Sequence, residues 1–393
     1  MIEGEDIICF GNDWDEDPLS KKHIMTRLAA RNRVLWINSI GIRRPRPTPR
    51  DLQRALGKLR HAAAGLREVH SRLHVLSPLA VPFHGSALAR RVSRTVLRWG
   101  VRRACRQLAF RDPITWTFMP TSTEVAGELG EKLLVYHCVD EHSAFTGVDK
   151  DPLLALERRL IEKADCVVVS SRRLYATRRP INPRTHLVEH GVDVELFRQA
   201  CDADRPVAED MRRLRKPVIG FFGIIADWVD LGLIRFLADA RPQWDLALIG
   251  KPVADLAALG GTPNVHLLGH RPYAALPSYA KGFDVAIVPF VTNEFTLAAN
   301  PLKLREYLAA GLPVVSTDLP EVAKMKGAVR IGRDREGFLR AIQAILDSGQ
   351  TGPQLAISRQ MDTESWDQRV EELSGIVAGV CRERGIALRV APS

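Results

Sequence analysis

Short apolar runs bounded by turns, each followed by a longer stretch of helical period, recur along this chain, and the series starts again after residue 216. Runs of that kind read as buried parallel strands joined by crossover helices. The first series predicts strands at 7–10, 34–37, 73–76, 114–118, 133–136, 166–169 and 186–188. The second predicts them at 218–222, 246–249, 265–268, 285–288 and 314–316. The fold class expected is therefore α/β, with two doubly wound domains in series over residues 1–200 and 217–362. The charged stretch 201–216 reads as their linker. Apolar residues at Trp366, Val370, Leu373, Val377 and Val380 recur by threes and fours, so residues 363–393 read as a helix packing back on the first domain. A chain of 393 residues is long enough to bury two such cores. Sheets of this type bind ligands beyond the carboxyl ends of their strands, so two domains facing across a cleft would carry their chemistry on the loops after strands.

Composition narrows the class. Hydrophobic residues at 46% and charged residues at 26% suit a folded globular chain. No apolar run approaches the roughly 18 residues a spanning helix needs, and residues 1–6 lack the pattern of a signal peptide, so a cytoplasmic setting is expected. The six cysteines are scattered, without metal-binding or disulfide spacing. The net charge of +10 is local: residues 41–106 hold sixteen basic side chains against two acids, Asp51 and Glu68. Helical patterns over 52–69 and 88–108 combine those charges with Phe83, Leu97 and Trp99. A basic amphipathic helix suggests contact with an anionic membrane, here the inner face of the plasma membrane. Ordinary solvated helix faces are the alternative; no recognition motif supports nucleic acid.

The segment Asn300-Pro301-Leu302-Lys303-Leu304-Arg305-Glu306-Tyr307 is the most specific motif. Asn300 reads as an N-cap and Pro301 as the first helical residue, which would leave amides free at the helix mouth for a phosphate. Lys303 and Glu306, three apart, would share one face, the ammonium toward a diphosphate and the carboxylate toward ribose hydroxyls. Gly311-Leu312-Pro313 then ends the helix. This segment resembles the nucleotide-binding helix of GT-B glycosyltransferases, which are built of two Rossmann-like domains. The resemblance extends to Gly220-Phe221-Phe222-Gly223-Ile224, to the base-binding loop with His270 and Arg271, and to 284–290. It implies a nucleotide diphosphate sugar as donor, held by Gly223, Ile224, His270, Arg271, Asn300, Lys303 and Glu306. Around Gly223 the backbone N–H groups would approach the phosphates.

In the first half, Tyr136-His137-Cys138-Val139-Asp140-Glu141-His142 follows a strand. Two branches of the GT-B group resemble this chain. Retaining enzymes of the E-x7-E type need a carboxylate eight residues before Glu306, where Ala298 stands. Inverting bacterial exopolysaccharide and teichuronic acid glucuronosyltransferases carry a Y-x-x-x-D motif, and their likeness here implies that Asp140 is the general base. Glu141 and His142 compete for that role, and His137 reads as a core residue. The same likeness implies an acceptor loop with Asp13 and a first helix with Lys22 and His23. Asp13-Trp14-Asp15 lacks the surroundings of a metal motif, so no metal and no cofactor are expected beyond the donor. A UDP sugar, glucuronate or glucose, would pass with inversion to a saccharide or lipid-linked acceptor. A retaining GT-B enzyme using a GDP- or UDP-sugar, and a non-catalytic membrane-surface module, are the alternatives.

Overall fold

The continuous apolar runs become two parallel sheets in a computed structural model that describes residues 1–39, 65–78, 87–325, 327 and 329–389. The first sheet holds β1 (Asp6–Phe10), β2 (Arg33–Ile37), β3 (Leu66–His70), β4 (Leu73–Leu76), β5 (Ile114–Thr117), β6 (Leu133–Cys138), β7 (Cys166–Val169) and β8 (Thr185–Leu187). Its order is β3-β4-β2-β1-β5-β6-β7-β8, parallel except for the antiparallel β3–β4 pair. β1, β5, β6 and β7 are buried along their whole length, which explains their unbroken Ile, Val, Leu and Trp content. Helices α1 (Ser20–Ala29), α2 (Ala87–Gln107), α3 (Lys150–Lys163) and α4 (Arg172–Arg178) belong to this unit. The strand order reverses between β1 and β5, so this sheet's crevice for ligands lies at the loops that leave those strands.

The second sheet contains β9 (Val218–Phe222), β10 (Asp245–Ile249), β11 (Val265–Gly269), β12 (Val285–Val288), β13 (Val314–Thr317) and β14 (Val329–Gly332). All six are parallel in the order β11-β10-β9-β12-β13-β14, with the switch between β9 and β12. Its helices are α5 (Val194–Arg198), α6 (Leu231–Ala240), α7 (Leu276–Ala280), α8 (Glu294–Ala298), α9 (Leu302–Ala309), α10 (Arg335–Asp347) and α11 (Leu355–Ser358). One core cluster runs from Val192 to Met361 through this unit.

The chain divides into residues 1–189 with 369–393, and residues 190–368. Residues 190–200 thus belong with the second unit rather than the first. The stretch expected as a linker is packed there too. Met211 is buried in that unit's core, the Ala208 amide donates to the Ser278 carbonyl at 3.1 Å, and Asp210 pairs with Arg271 at 2.7 Å. The last helix, α12 (Trp366–Glu383), carries the chain back to the first unit. Glu371 meets the amino terminus, Arg384 pairs with Asp165, and Arg389 reaches Asp6 at 2.8 Å.

Two strands differ from expectation. Residues 66–69 were expected in a helix but lie in β3, and β14 was not foreseen. Both are edge strands whose apolar residues are interrupted by polar ones, so neither shows the continuous apolar run of a buried strand. Residues 40–64 and Phe83, which carry much of the basic stretch, lie outside the described residues.

Candidate functional site

In the second unit the motif is organised around glycine. Gly223 ends β9 at φ +143°, and a Cβ built there would lie 2.8 Å from Lys303 Cε. Gly250 ends β10 at φ +147°, where a Cβ would sit 1.8 Å from the Gly223 carbonyl oxygen. The two glycines let the strand ends close on each other and make room for the Lys303 stem. Lys303 Nζ pairs with Glu306 Oε2 at 3.1 Å and lies 5.5 Å over the Phe222 ring. The Tyr307 hydroxyl accepts from the Phe222 amide at 2.8 Å and fixes α9 to β9. Ile224, next to Gly223 in the chain, is 43% exposed.

Three details depart from the sequence reading. Helix α9 starts at Leu302 with Pro301 as its cap residue, and the Asn300 side chain accepts from buried Arg305 at 2.5 Å instead of capping. The cap residue Pro301 makes no side-chain cap bond, so the first-turn amides keep the polarity that attracts an anion. The Gly223 amide donates to the Ile249 carbonyl at 2.8 Å, so this glycine serves as space for Lys303 and not as a phosphate donor. Arg271 is engaged by Asp210 at 2.7 Å and lies 5.5 Å over Tyr279, while His270 is exposed.

In the first unit, Asp140 lies just past β6. It is half-buried, and among the described residues no donor bonds to its carboxylate oxygens. Burial raises its pKa above the ordinary 3.8, with Lys21 pulling it down and Glu141 pushing it up. Its two neighbours are differently placed. Glu141 accepts from Arg178 at 2.7 and 3.0 Å and from Ser143 at 2.8 Å. Burial would raise its carboxyl, but Arg178 and Ser143 hold it below the usual range. His142 is 1% exposed with both ring nitrogens unpartnered, and burial, Lys21 and Arg178 keep it neutral. Of the three candidates, Asp140 alone combines uncommitted polar atoms with partial exposure, since the free nitrogens of His142 are buried.

Beneath this loop, Arg178 bridges Glu141 and Glu157, and Glu157 also accepts from Tyr136 at 2.7 Å and Cys138 at 3.3 Å. Donor atoms of Cys138, His142 and Glu157 lie within 4.8 Å of one another. Both oxygens of Glu157 are already taken by Arg178, so the group fits an ion-pair core better than a metal centre.

His137, in β6, stacks on Phe118 at 4.9 Å, and burial followed by Lys21 lowers its pKa to about 3. Between that value and 6.5 the unfolded chain binds a proton the native chain refuses. Stability from this residue is therefore full above pH 6.5 and falls as pH drops toward 3, at up to about 1.4 kcal/mol per pH unit. The His137→Phe variant is expected to flatten that part of the urea-unfolding profile between pH 7 and pH 5; an unchanged slope would count against it.

The expected acceptor residues separate. Asp13 lines a depression of about 200 Å³ with Asn38, Ser39 and Ser77. Lys22 instead bonds the Trp14 and Glu16 carbonyls at 2.9 and 3.2 Å, and His23 is buried. The helical face explains the difference: α1 turns its neighbour Lys21 inward. Lys21 was not singled out in the sequence, and its signal was its place in line with Ile24 and Leu28 on the buried face.

Residues 216–348 match the family described as glycosyl transferases group 1. A candidate teichuronic acid biosynthesis glycosyltransferase, TuaH, of Bacillus subtilis strain 168 is 33% identical over 183 residues, 43% of this chain and 44% of that protein. The match thus spans less than half of that relative's length. Sucrose-phosphate synthase from Thermosynechococcus elongatus superposes with TM-score 0.68 at 18% identity, covering 96% of this chain and 100% of the other. HepE of Anabaena, in complex with UDP-glucose, gives 0.67 at 13% identity, covering 95% and 99%. The fold is that of GT-B glycosyltransferases, and the family match supports a transferase enzyme.

Proposed function

We propose that this chain, with its GT-B fold and group 1 glycosyltransferase segment, transfers a sugar from a UDP donor to a saccharide or lipid-linked acceptor, with inversion and without a metal. The observation that carries the donor half is the Gly223, Lys303 and Glu306 cluster at the mouth of an uncapped helix. There the ammonium and the helix start neutralise the departing diphosphate, and Glu306 accepts from the ribose. HepE's complex with UDP-glucose supports a uridine nucleotide; glucose and glucuronate are the sugars proposed. Asp140 takes the acceptor's proton as its oxygen attacks the anomeric carbon opposite the diphosphate. Inversion is favoured over retention because position 298, where the second carboxylate of the retaining motif would stand, is a buried alanine. Calorimetric titration with UDP, GDP and ADP in the presence of a chelator tests the donor half. Binding of UDP alone supports it, and no binding of any nucleotide overturns it.

The acceptor's setting is proposed from α2. Ser93, Leu97, Val101 and Ala104 form its buried face, while Val92, Val96 and Trp99 are exposed on the other, Trp99 by 58%. Arg91, Arg103 and Arg106 flank them, and Arg103 lies 5.5 Å over Trp99. Arg94, Arg98 and Arg102 are spent on Glu128, so only part of the helix's charge faces outward. We infer that this stripe docks on an anionic lipid surface. No described helix is long and apolar enough to cross a membrane. The chain is expected to bind phosphatidylglycerol vesicles at low salt and phosphatidylcholine vesicles weakly. Trp99→Ser with Val96→Ser should reduce binding at least about tenfold, because each large side chain entering the lipid is worth about 1.5–3 kcal/mol. Equal binding by the double variant would exclude α2.

A further inference from the structure

Among the described residues no donor bonds to the Asp140 carboxylate, so the place of that group is decided by the backbone that carries it. The backbone is held residue by residue. The Val139 carbonyl accepts from Ser170 Oγ at 2.8 Å, and the Asp140 carbonyl accepts from the His142 amide at 3.0 Å and from Cys138 Sγ at 3.4 Å. Glu141, the next residue, is fixed through its side chain. Its carboxylate accepts from Arg178 Nη1 at 2.7 Å, from Arg178 Nη2 at 3.0 Å and from Ser143 Oγ at 2.8 Å. Arg178 is the last residue of α4, the helix that follows β7, and its Nη2 also grips Glu157 of α3 at 3.1 and 3.0 Å. Glu157 in turn accepts from the Tyr136 hydroxyl of β6 at 2.7 Å. One guanidinium thus joins the loop after β6 to two helices and, through Glu157, to the strand the loop leaves.

This cluster is costly to build. The side chains of Arg178, Glu141 and Glu157 are 7%, 11% and 4% exposed, and two carboxylates share a single guanidinium. The desolvation of such a group offsets most of its attraction, so stability alone gives little reason for it. What it supplies, and apolar packing does not, is direction: the planar fork of an arginine fixes the carboxylates it binds in position and in angle. We propose that Arg178 is the positioning residue of Asp140, clamping the adjacent Glu141 so that the Asp140 carboxylate stands in one place with its own oxygens left to the acceptor hydroxyl. This rests on the reading of Asp140 as the base. Glu141, which competes with Asp140 by sequence, then serves as the handle by which the base is held.

The test is a double-mutant cycle between Arg178→Lys and Asp140→Asn, read as UDP release from a UDP sugar and as UDP affinity by calorimetry. Lysine keeps the charge and loses the fork. Arg178→Lys is therefore expected to bind UDP as the parent chain does and to lose about 10–100-fold in kcat, the scale of misplacing a reacting group by up to about 1 Å. In the Asp140→Asn background the same change should cost nothing further, because a residue that acts only through Asp140 has nothing left to position. Glu141→Gln, which weakens the clamp from its other side, should give the same pattern, and it decides the matter if Arg178→Lys does not fold as judged by circular dichroism. A penalty that persists in the Asp140→Asn background, or a kcat unchanged in the folded variants, overturns the proposal. Failure of the underlying reading looks different: Asp140→Asn alone would then turn over donor as the parent chain does.

Discussion

Asp140→Asn is expected to lose sugar transfer by about 10²–10⁴-fold in kcat while binding UDP as tightly as the parent chain. The loss is confined to turnover because the proposed diphosphate contacts, Lys303 and the start of α9, belong to the other unit. Asparagine keeps the shape of the side chain and removes its ability to take a proton. UDP release from a UDP sugar, measured beside calorimetry, checks both halves. The pH profile should agree: a base works ionised, so activity falls as pH drops through the Asp140 pKa, and burial places that point above the ordinary 3.8. Transfer that survives intact in the variant would remove Asp140 from the mechanism. Glu141 is a poor substitute, since its oxygens are held by Arg178 and Ser143.

Lys303→Ala should weaken UDP binding by about 10–100-fold, the value of a charge-assisted hydrogen bond of roughly 1.5–3 kcal/mol. Removing the ammonium also leaves Glu306, buried and 3.1 Å from it in the intact chain, as an uncompensated negative charge beside the diphosphate. Adding Glu306→Gln to the alanine variant should therefore recover part of the lost affinity, whereas a merely structural lysine would show no such recovery. Donor turnover should fall with binding, because the same ammonium stabilises the leaving group. Unchanged UDP affinity in Lys303→Ala would show that the diphosphate lies elsewhere.

Much of this was legible in residues. Buried parallel strands declare themselves by uninterrupted apolar runs, so β1, β5, β6, β9 and β12 fall where those runs fall. The edge strands β3 and β14 were hidden, because one face of each meets solvent and breaks the run with Arg and Glu. Positions of motif residues were legible to within a turn, their bonding was not. Asn300 looked like a cap until Arg305 took its oxygen, and Gly223 looked like a phosphate donor until the end of β10 took its amide. Lys21 and Lys22 could not be told apart by type, and the line of Lys21 with Ile24 and Leu28 is matched by that of Lys22 with Met25 and Ala29. Only the phase of α1 against the sheet decides which one is buried, and that phase depends on tertiary packing.

The return of α12 has a consequence for how the protein is made. A sheet that starts at residue 6 is finished by a helix whose Val370, Leu373, Val377 and Val380 are buried, and those residues are translated after the whole of the second unit. On the ribosome, the amino-terminal unit must wait with part of its apolar surface uncovered, while the continuous second unit has every residue it needs and closes first. Maturation then runs against the direction of synthesis, the reverse of the usual order.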